Sequence, residues 1–301
     1  MRRVLWLALL VACSSEPAPD PDPVPAYTPA QRAYHGVATV GRKLYVVGGS
    51  HGRDPTTVVE VFDVEAHTWS RVADLPTARD FAAVAVLDGR VHVVGGLGGG
   101  RTTLATHEIY DPKTDRWTTG PPLPTARNRL AAATVGNRLY VVGGMTSDGD
   151  AGVVEVFDAS TAAWSTAAVM PTPRHGHALA AVGARLYAMG GYGGDVLATV
   201  ERFDSRSGKW AAVAPMPTPR GFLATAVVGD RIYAIGGRID VCPMERYDPL
   251  LHEWKRLDSA SKTRQRFGVG VVGKFIYAIG GENSAPSAIY SISRESWTPL
   301  R

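Results

Sequence analysis

The chain has 301 residues, 45% of them hydrophobic, with 33 glycines, 21 prolines and two cysteines. Its formal charge of +4 falls to +2 when Arg2 and Arg3 are set aside with the leader described below, leaving 30 basic against 28 acidic residues and no basic run. This balance argues against a nucleic-acid partner, and the apolar content suffices for a sizeable core.

Residues 1–12 read as a targeting segment, with Arg2-Arg3 ahead of an apolar run over residues 4–12. That run is too short to cross a bilayer, which takes about 20 residues. It ends Leu10-Val11-Ala12-Cys13, which resembles the bacterial lipoprotein signal. The resemblance implies acylation of Cys13, and Ser14 in place of an aspartate implies sorting to the outer membrane, so the expected location is the cell envelope, with membrane attachment through Cys13. Residues 13–29 then form the lipidated cysteine and a proline-rich tether that cannot build a core and extends at about 3.1 Å per residue. With Cys13 acylated, Cys242 has no partner and no disulfide is expected.

From residue 30 to the end the chain repeats itself six times. Glycine pairs begin at Gly48, Gly95, Gly143, Gly190, Gly236 and Gly280, and an arginine lies 16 residues before each: Arg32, Arg79, Arg127, Arg174, Arg220 and Arg264. A tryptophan follows each pair, from Trp69 to Trp297, with an aromatic seven residues before it. A period in the forties means stacked supersecondary units. Each unit parses into four short strands A–D, in the third unit residues 130–135, 139–142 and 154–157 and a run starting at Trp164. The A–B turns are Gly-X or Asp-Gly pairs, the chemistry of primed hairpin turns. Six four-stranded units predict an all-β, six-bladed propeller. Strand A should be innermost, because its small residues, as in Ala131-Ala132-Ala133, suit a crowded axis. Arg32 opens the first unit directly at strand A and the sixth has its own strand D at Trp297, so each blade is contiguous in sequence and no strand interlocks the ends. Closure is expected from packing of blade 6 on blade 1.

The double glycine, the aromatic-Asp pair (Tyr110-Asp111, Tyr247-Asp248) and the spaced tryptophan identify the chain by resemblance as a Kelch-repeat protein over residues 30–301. The resemblance speaks for the fold; function has to be read from sites grafted on it.

The meander puts all B–C and D–A loops on one face, and the long loops at residues 50–59, 97–107 and 145–154 make it the expected binding face. The repeating arginines are read as structural, paired with the recurring Glu60, Glu108, Glu155, Glu201 and Glu245; Arg264 or Arg32, beside the gap left by Ala288, is expected to be free of a partner. Non-repeating residues are better candidates. After the arginines these are Tyr34, Asp80, Phe81, Asn128, Arg129, His175, Phe222, Gln265 and Arg266. After the glycines they are Ser50, Leu97, Met145, Tyr192, Arg238 and Glu282, with His51 beside Ser50. Arg129 and Arg238 occupy places that ligand-binding Kelch domains use for acidic peptides. His35 and His177 share one slot in opposite blades, a poor arrangement for chelation, and no metal or cofactor is expected.

The expected function is that of a monomeric, lipid-anchored, non-catalytic module that binds a protein or carbohydrate of the envelope at the B–C/D–A face. The alternative is an enzyme: six-bladed periplasmic Kelch proteins include the N-acetylneuraminate epimerase (mutarotase) family, and a distant similarity to it implies a sugar-acid isomerase with Glu282 as acid/base and Arg238 on the carboxylate. A galactose-oxidase-like copper site is disfavoured, since Cys242 is the one cysteine left to form its crosslink and it lies beside Pro243.

Overall fold

The computed structural model describes residues 32–237, 244–257, 264–282 and 286–300. The leader, Cys13, the tether, Arg238 and Cys242 lie outside them.

Short apolar runs joined by tight glycine turns fold as antiparallel meanders. In blade 3 the strands are Ala131–Val135, Arg138–Val142, Val154–Asp158 and Ala163–Thr166, hydrogen-bonded in chain order. Val135 faces Arg138 across the Gly136-Asn137 turn, where Gly136 has φ +59°. In blade 2 both turn residues, Asp88 and Gly89, have positive φ, as a type I′ turn requires. Six such four-stranded sheets form the propeller. Strand A begins at Ala131 rather than Leu130, because the Leu130 side chain turns into the junction over Gly95 of the preceding blade. Strand B begins one residue earlier than expected, at Arg138, and strand D at Ala163, each extended by one more ladder pair.

Burial follows position along the blade. Strand B is packed on both sides, with Leu139, Val141 and Val142 fully buried, while strand D is mostly exposed. The A strands lie innermost, each touching the A strand on either side. The small residues there are obligatory: a Cβ on Gly36 or Gly268 would sit 2.1 Å from a valine methyl of the next blade. On the outside, each tryptophan packs on the strand C aromatic with ring centroids 5.0–5.3 Å apart. The indoles of Trp117, Trp164, Trp210 and Trp254 also donate to carbonyls of the chain leaving the preceding blade, at 2.8–2.9 Å.

Blade 6 is contiguous, from Gly268–Val272 to Ser296–Pro299, and it meets blade 1 by packing, with Gly268 against Val37 and the Val271 N–H donating to Thr39 Oγ1 at 3.2 Å. Packing is only part of the closure. The second glycine of each pair donates its N–H to the carbonyl of the next blade's repeat arginine, from Gly49 to Arg79 round to Gly281 to Arg32, at 2.9–3.2 Å. A second circle runs inside it: the N–H groups of Phe81, Arg129, Gly176, Phe222, Arg266 and Tyr34 each donate to the corresponding carbonyl one blade back, at 2.7–3.4 Å. The blade 6–1 junction carries the same two backbone bonds as the others.

The repeat arginines pair with the recurring glutamates at 2.6–3.2 Å, and every one of these ten side chains is 5% exposed or less. Arg32 pairs with Glu60, so of the two arginines expected to lack a partner it is Arg264 that has no carboxylate among the described residues. Arg264 instead donates to the carbonyls of Gly280 (2.8 Å) and Pro286, and burial without a counter-charge pushes its pKa down to about 10. No helix among the described residues is long and apolar enough to cross a membrane.

Candidate functional site

The residue two places after each repeat arginine belongs to the inner hydrogen-bonded circle. All six have φ between +52° and +61°, a left-handed conformation that is uncommon outside glycine. The circle holds this backbone in place and delivers Tyr34, Phe81, Arg129, Gly176, Phe222 and Arg266 to the channel mouth, where they line a cavity of about 140 Å³. The arginine two places before this slot repeats in every blade, whereas the slot itself does not.

Three aromatic rings from blades 1, 2 and 5 converge there. Tyr34 and Phe81 have centroids 3.9 Å apart, and Phe222 lies 6.0 Å from Phe81 and 6.5 Å from Tyr34. Tyr192 packs on Phe222 at 5.4 Å and His175 stacks on Tyr192 at 5.5 Å, which extends the aromatic surface to blade 4. His175 is oriented by Asp150, its Nδ1 lying 2.5 Å from Oδ1.

Cations flank this floor. Arg129 sits over Phe81 with its guanidinium carbon 4.7 Å from the ring centroid, and Arg266 lies over Tyr34 at 4.8 Å and Phe222 at 5.3 Å. Arg266 pairs with Glu282, which also accepts from Tyr34 Oη at 3.0 Å and Gln265 Nε2 at 3.2 Å. Burial beside this carboxylate lifts the Tyr34 hydroxyl to about 12 despite the opposing Arg266 charge, so it stays protonated as a donor. Arg101 pairs with Asp80 at 3.2 Å. Arg129 differs: its contact is with the Met145 sulfur at 3.1 Å, a weak acceptor, and no carboxylate lies within ion-pair distance among the described residues. Desolvation, and then the nearby Arg101 charge, lower its pKa.

The structure thus gathers Tyr34, Arg129, His175, Tyr192, Phe222, Arg266 and Glu282 around one mouth. His51 is exposed on the short hairpin strand Ser50–His51, outside the cavity lining, and Arg238 lies outside the described residues. Two residues of the mouth went unread in the sequence, Arg101 and Asp150. Both sit in polar loops, and nothing local marks them: Arg101 follows the Gly98-Gly99-Gly100 run, and Asp150 ends a two-strand hairpin, Met145–Thr146 with Gly149–Asp150. His35 and His177 lie a layer deeper and turn into blade junctions, over Gly280 and Gly143 respectively, rather than toward one another. No group of three or more potential metal ligands occurs among the described residues.

Comparison with known proteins agrees with this architecture. The Kelch motif family matches residues 31–76, 78–124 and 219–260, and the KLHDC2/KLHL20/DRC7 Kelch-repeats domain family matches residues 118–237. The chain is a Kelch-repeat protein, folded as a six-bladed β-propeller. An F-box/kelch-repeat protein of Arabidopsis thaliana is 47% identical over 60 residues, 19% of this chain and 14% of its own. Kelch-like protein 22 of Rattus norvegicus is 38% identical over 72 residues, 23% of this chain and 11% of its own. The chain therefore spans a small part of the curated relatives that it matches. The solved structure of YjhT superposes with a TM-score of 0.78 over 90% of this chain and 98% of that one, at 19% identity, which establishes a shared fold.

Proposed function

We propose that the propeller is a binding module whose B–C/D–A mouth takes an acidic group carried on a protein or glycan segment. The observation that carries this reading is Arg129: a half-buried cation over an aromatic ring, with no carboxylate partner among the described residues, at the edge of an apolar floor. A desolvated guanidinium gains most from a planar anion that it can grip with two parallel hydrogen bonds. The Tyr34, Phe81 and Phe222 rings offer a surface for whatever the anion is attached to, a peptide side chain or the apolar face of a sugar. Screening peptide and glycan arrays with the purified chain and its Arg129→Met variant tests this. Acidic ligands retained by the native protein should be lost by the variant; equal retention by both removes the reading.

The membrane anchor belongs to the same proposal. Acylation of Cys13 would tether the ring to a membrane, and the expected outcome is palmitate labelling and membrane fractionation that disappear in Cys13→Ala. The enzymatic alternative has one supporting observation, the Glu282 carboxylate beside Arg266 and Tyr34. Three donors already engage that carboxylate, which favours a fixed ion pair over a base waiting for a proton. Sialic-acid mutarotation by the native protein that is abolished in Glu282→Gln would reverse this preference.

A further inference from the structure

Three arginines stand at the mouth among the described residues, and two are already neutralised. Arg101 is paired with Asp80 and Arg266 with Glu282, while Arg129 between them lacks a carboxylate. Glu282 is also firmly placed. Its Oε1 accepts from Tyr34 of blade 1 and from Arg266 of blade 6, and its Oε2 accepts from Gln265. A ligand anion approaching Arg266 therefore meets a carboxylate in residence. That carboxylate belongs to the same chain, so it competes at high effective concentration, and a second anion brought beside it meets like-charge repulsion. Repulsion of this kind is how sites reject the wrong partner.

We propose that Glu282 is the specificity-determining residue of the mouth. It occupies Arg266 as a built-in counter-ion, so the receptor accepts one anionic group, at Arg129, and offers a second, closely spaced one no free cation. The favoured ligand class is a monoanion on an apolar or ring scaffold; short dicarboxylates and clustered acidic side chains gain nothing from their second charge. Asp80 acts in the same sense on Arg101. The inference rests on Arg129 as the anchor, and the two can fail separately.

The test is an NMR titration of the full chain with propionate, succinate and glutarate. In the native protein the dicarboxylates should bind within about threefold of propionate, as for a second charge that finds only screened contacts. Glu282→Gln keeps an amide oxygen able to accept from Tyr34 and an NH2 able to donate to the Gln265 amide oxygen once that amide turns over, but frees the Arg266 charge. It should improve dicarboxylate binding relative to propionate by about tenfold or more, the worth of one added charge-assisted pair. The double variant Glu282→Gln/Arg266→Gln should return to the native ratio, and Asp148→Asn, an exposed neutralisation, should leave it unchanged. An unchanged ratio in Glu282→Gln, or a gain that persists in the double variant, overturns the proposal. A purely structural role at the blade 6–1 junction would lower Tm without moving the ratio. Arg129→Met judges the anchor independently: propionate binding that survives it removes Arg129 as the receptor, while the Glu282→Gln ratio still decides the role of Glu282.

Discussion

Arg127 and Arg129 lie two residues apart and have opposite fates, and the difference is a carboxylate. Arg127 is fully buried, donating to Gly143 O at 2.7 Å, Val153 O at 2.9 Å and Glu155 at 2.6 Å, with Thr125 Oγ1 on the other glutamate oxygen at 2.8 Å. It fastens strands B and C of its blade and is out of reach of a ligand. Removing one member of such a pair strands a buried charge, at about 3–5 kcal/mol. Glu155→Ala should therefore lose that much stability in urea denaturation, whereas Arg129→Met, at the rim, should lose under about 1 kcal/mol while abolishing anion binding. A Glu155→Ala protein as stable as the native one would show the pair to be dispensable. Recurrence made this distinction legible, since the arginine returns in all six blades and the glutamate in five, whereas Arg129 has a counterpart only in Arg266. What recurrence could not show is that Arg266 has a carboxylate partner and Arg129 has none among the described residues, because Glu282 reaches Arg266 through space across a gap of 16 residues.

At the scale of the element, the double glycine is a junction device rather than a ligand loop. Gly143 has φ +60° and a Cβ there would lie 2.8 Å from Arg174 O; Gly144 has φ +100° and its Cβ would lie 2.8 Å from Asn128 O. The close approach lets Gly144 N–H reach the Arg174 carbonyl of the next blade at 2.9 Å. The turn glycine Gly136 has a similar φ of +59° but nothing within 4 Å of a Cβ. Gly136→Ala should thus cost only the left-handed strain, about 1 kcal/mol, while Gly144→Ala adds overlap with backbone and should cost about 3 kcal/mol or more. Comparable unfolding midpoints for the two would refute the junction role. Glycine spacing exposed the repeat at once. The short hairpins after the pairs, such as Met145–Thr146 with Gly149–Asp150, were not legible, because polar loop residues carry no periodicity and the hairpin makes contacts distant in sequence, to Asn128 of its own blade and to His175 of the next.

For the whole molecule, the histidines three places after Arg32 and Arg174 mark two junctions on opposite sides of the ring. His35 fills the blade 6–1 junction, with Nε2 3.0 Å from Ile279 O, and His177 fills the blade 3–4 junction over Gly143. Leu130, Leu223 and Phe267 fill the corresponding places elsewhere. Burial holds His35 and His177 at about 3, and the buried pair His92–His107, 2.9 Å apart, at about 3 and about 4. The charged neighbours that act on them are cationic: Arg32 and Arg264 on His35, Arg174 and Arg127 on His177, Arg90 on His92 and Arg79 on His107. With folded values below the unfolded 6.5, their contribution to stability is complete above about pH 6.5 and is lost as pH falls toward the folded values, by about 1.4 kcal/mol per pH unit for each histidine. Urea midpoints should drop between pH 7 and pH 5, and the pH slope should be shallower in His35→Leu and in His177→Leu. A native midpoint flat over that range would contradict this.

The six-fold period, the strand order, the innermost position of the small-residue strands and the structural reading of the repeating arginines follow from sequence alone, because each is a local pattern repeated until it can be read without ambiguity. The tertiary structure decided the rest: two closed circles of backbone hydrogen bonds that seal the ring, three aromatic rings meeting across the axis from blades 1, 2 and 5, and the arginine at the mouth that has no carboxylate partner among the described residues. These depend on residues distant in the chain meeting at one axis. The pairing of Tyr34 with Glu282, across 248 positions, exists only once the first and last blades are side by side.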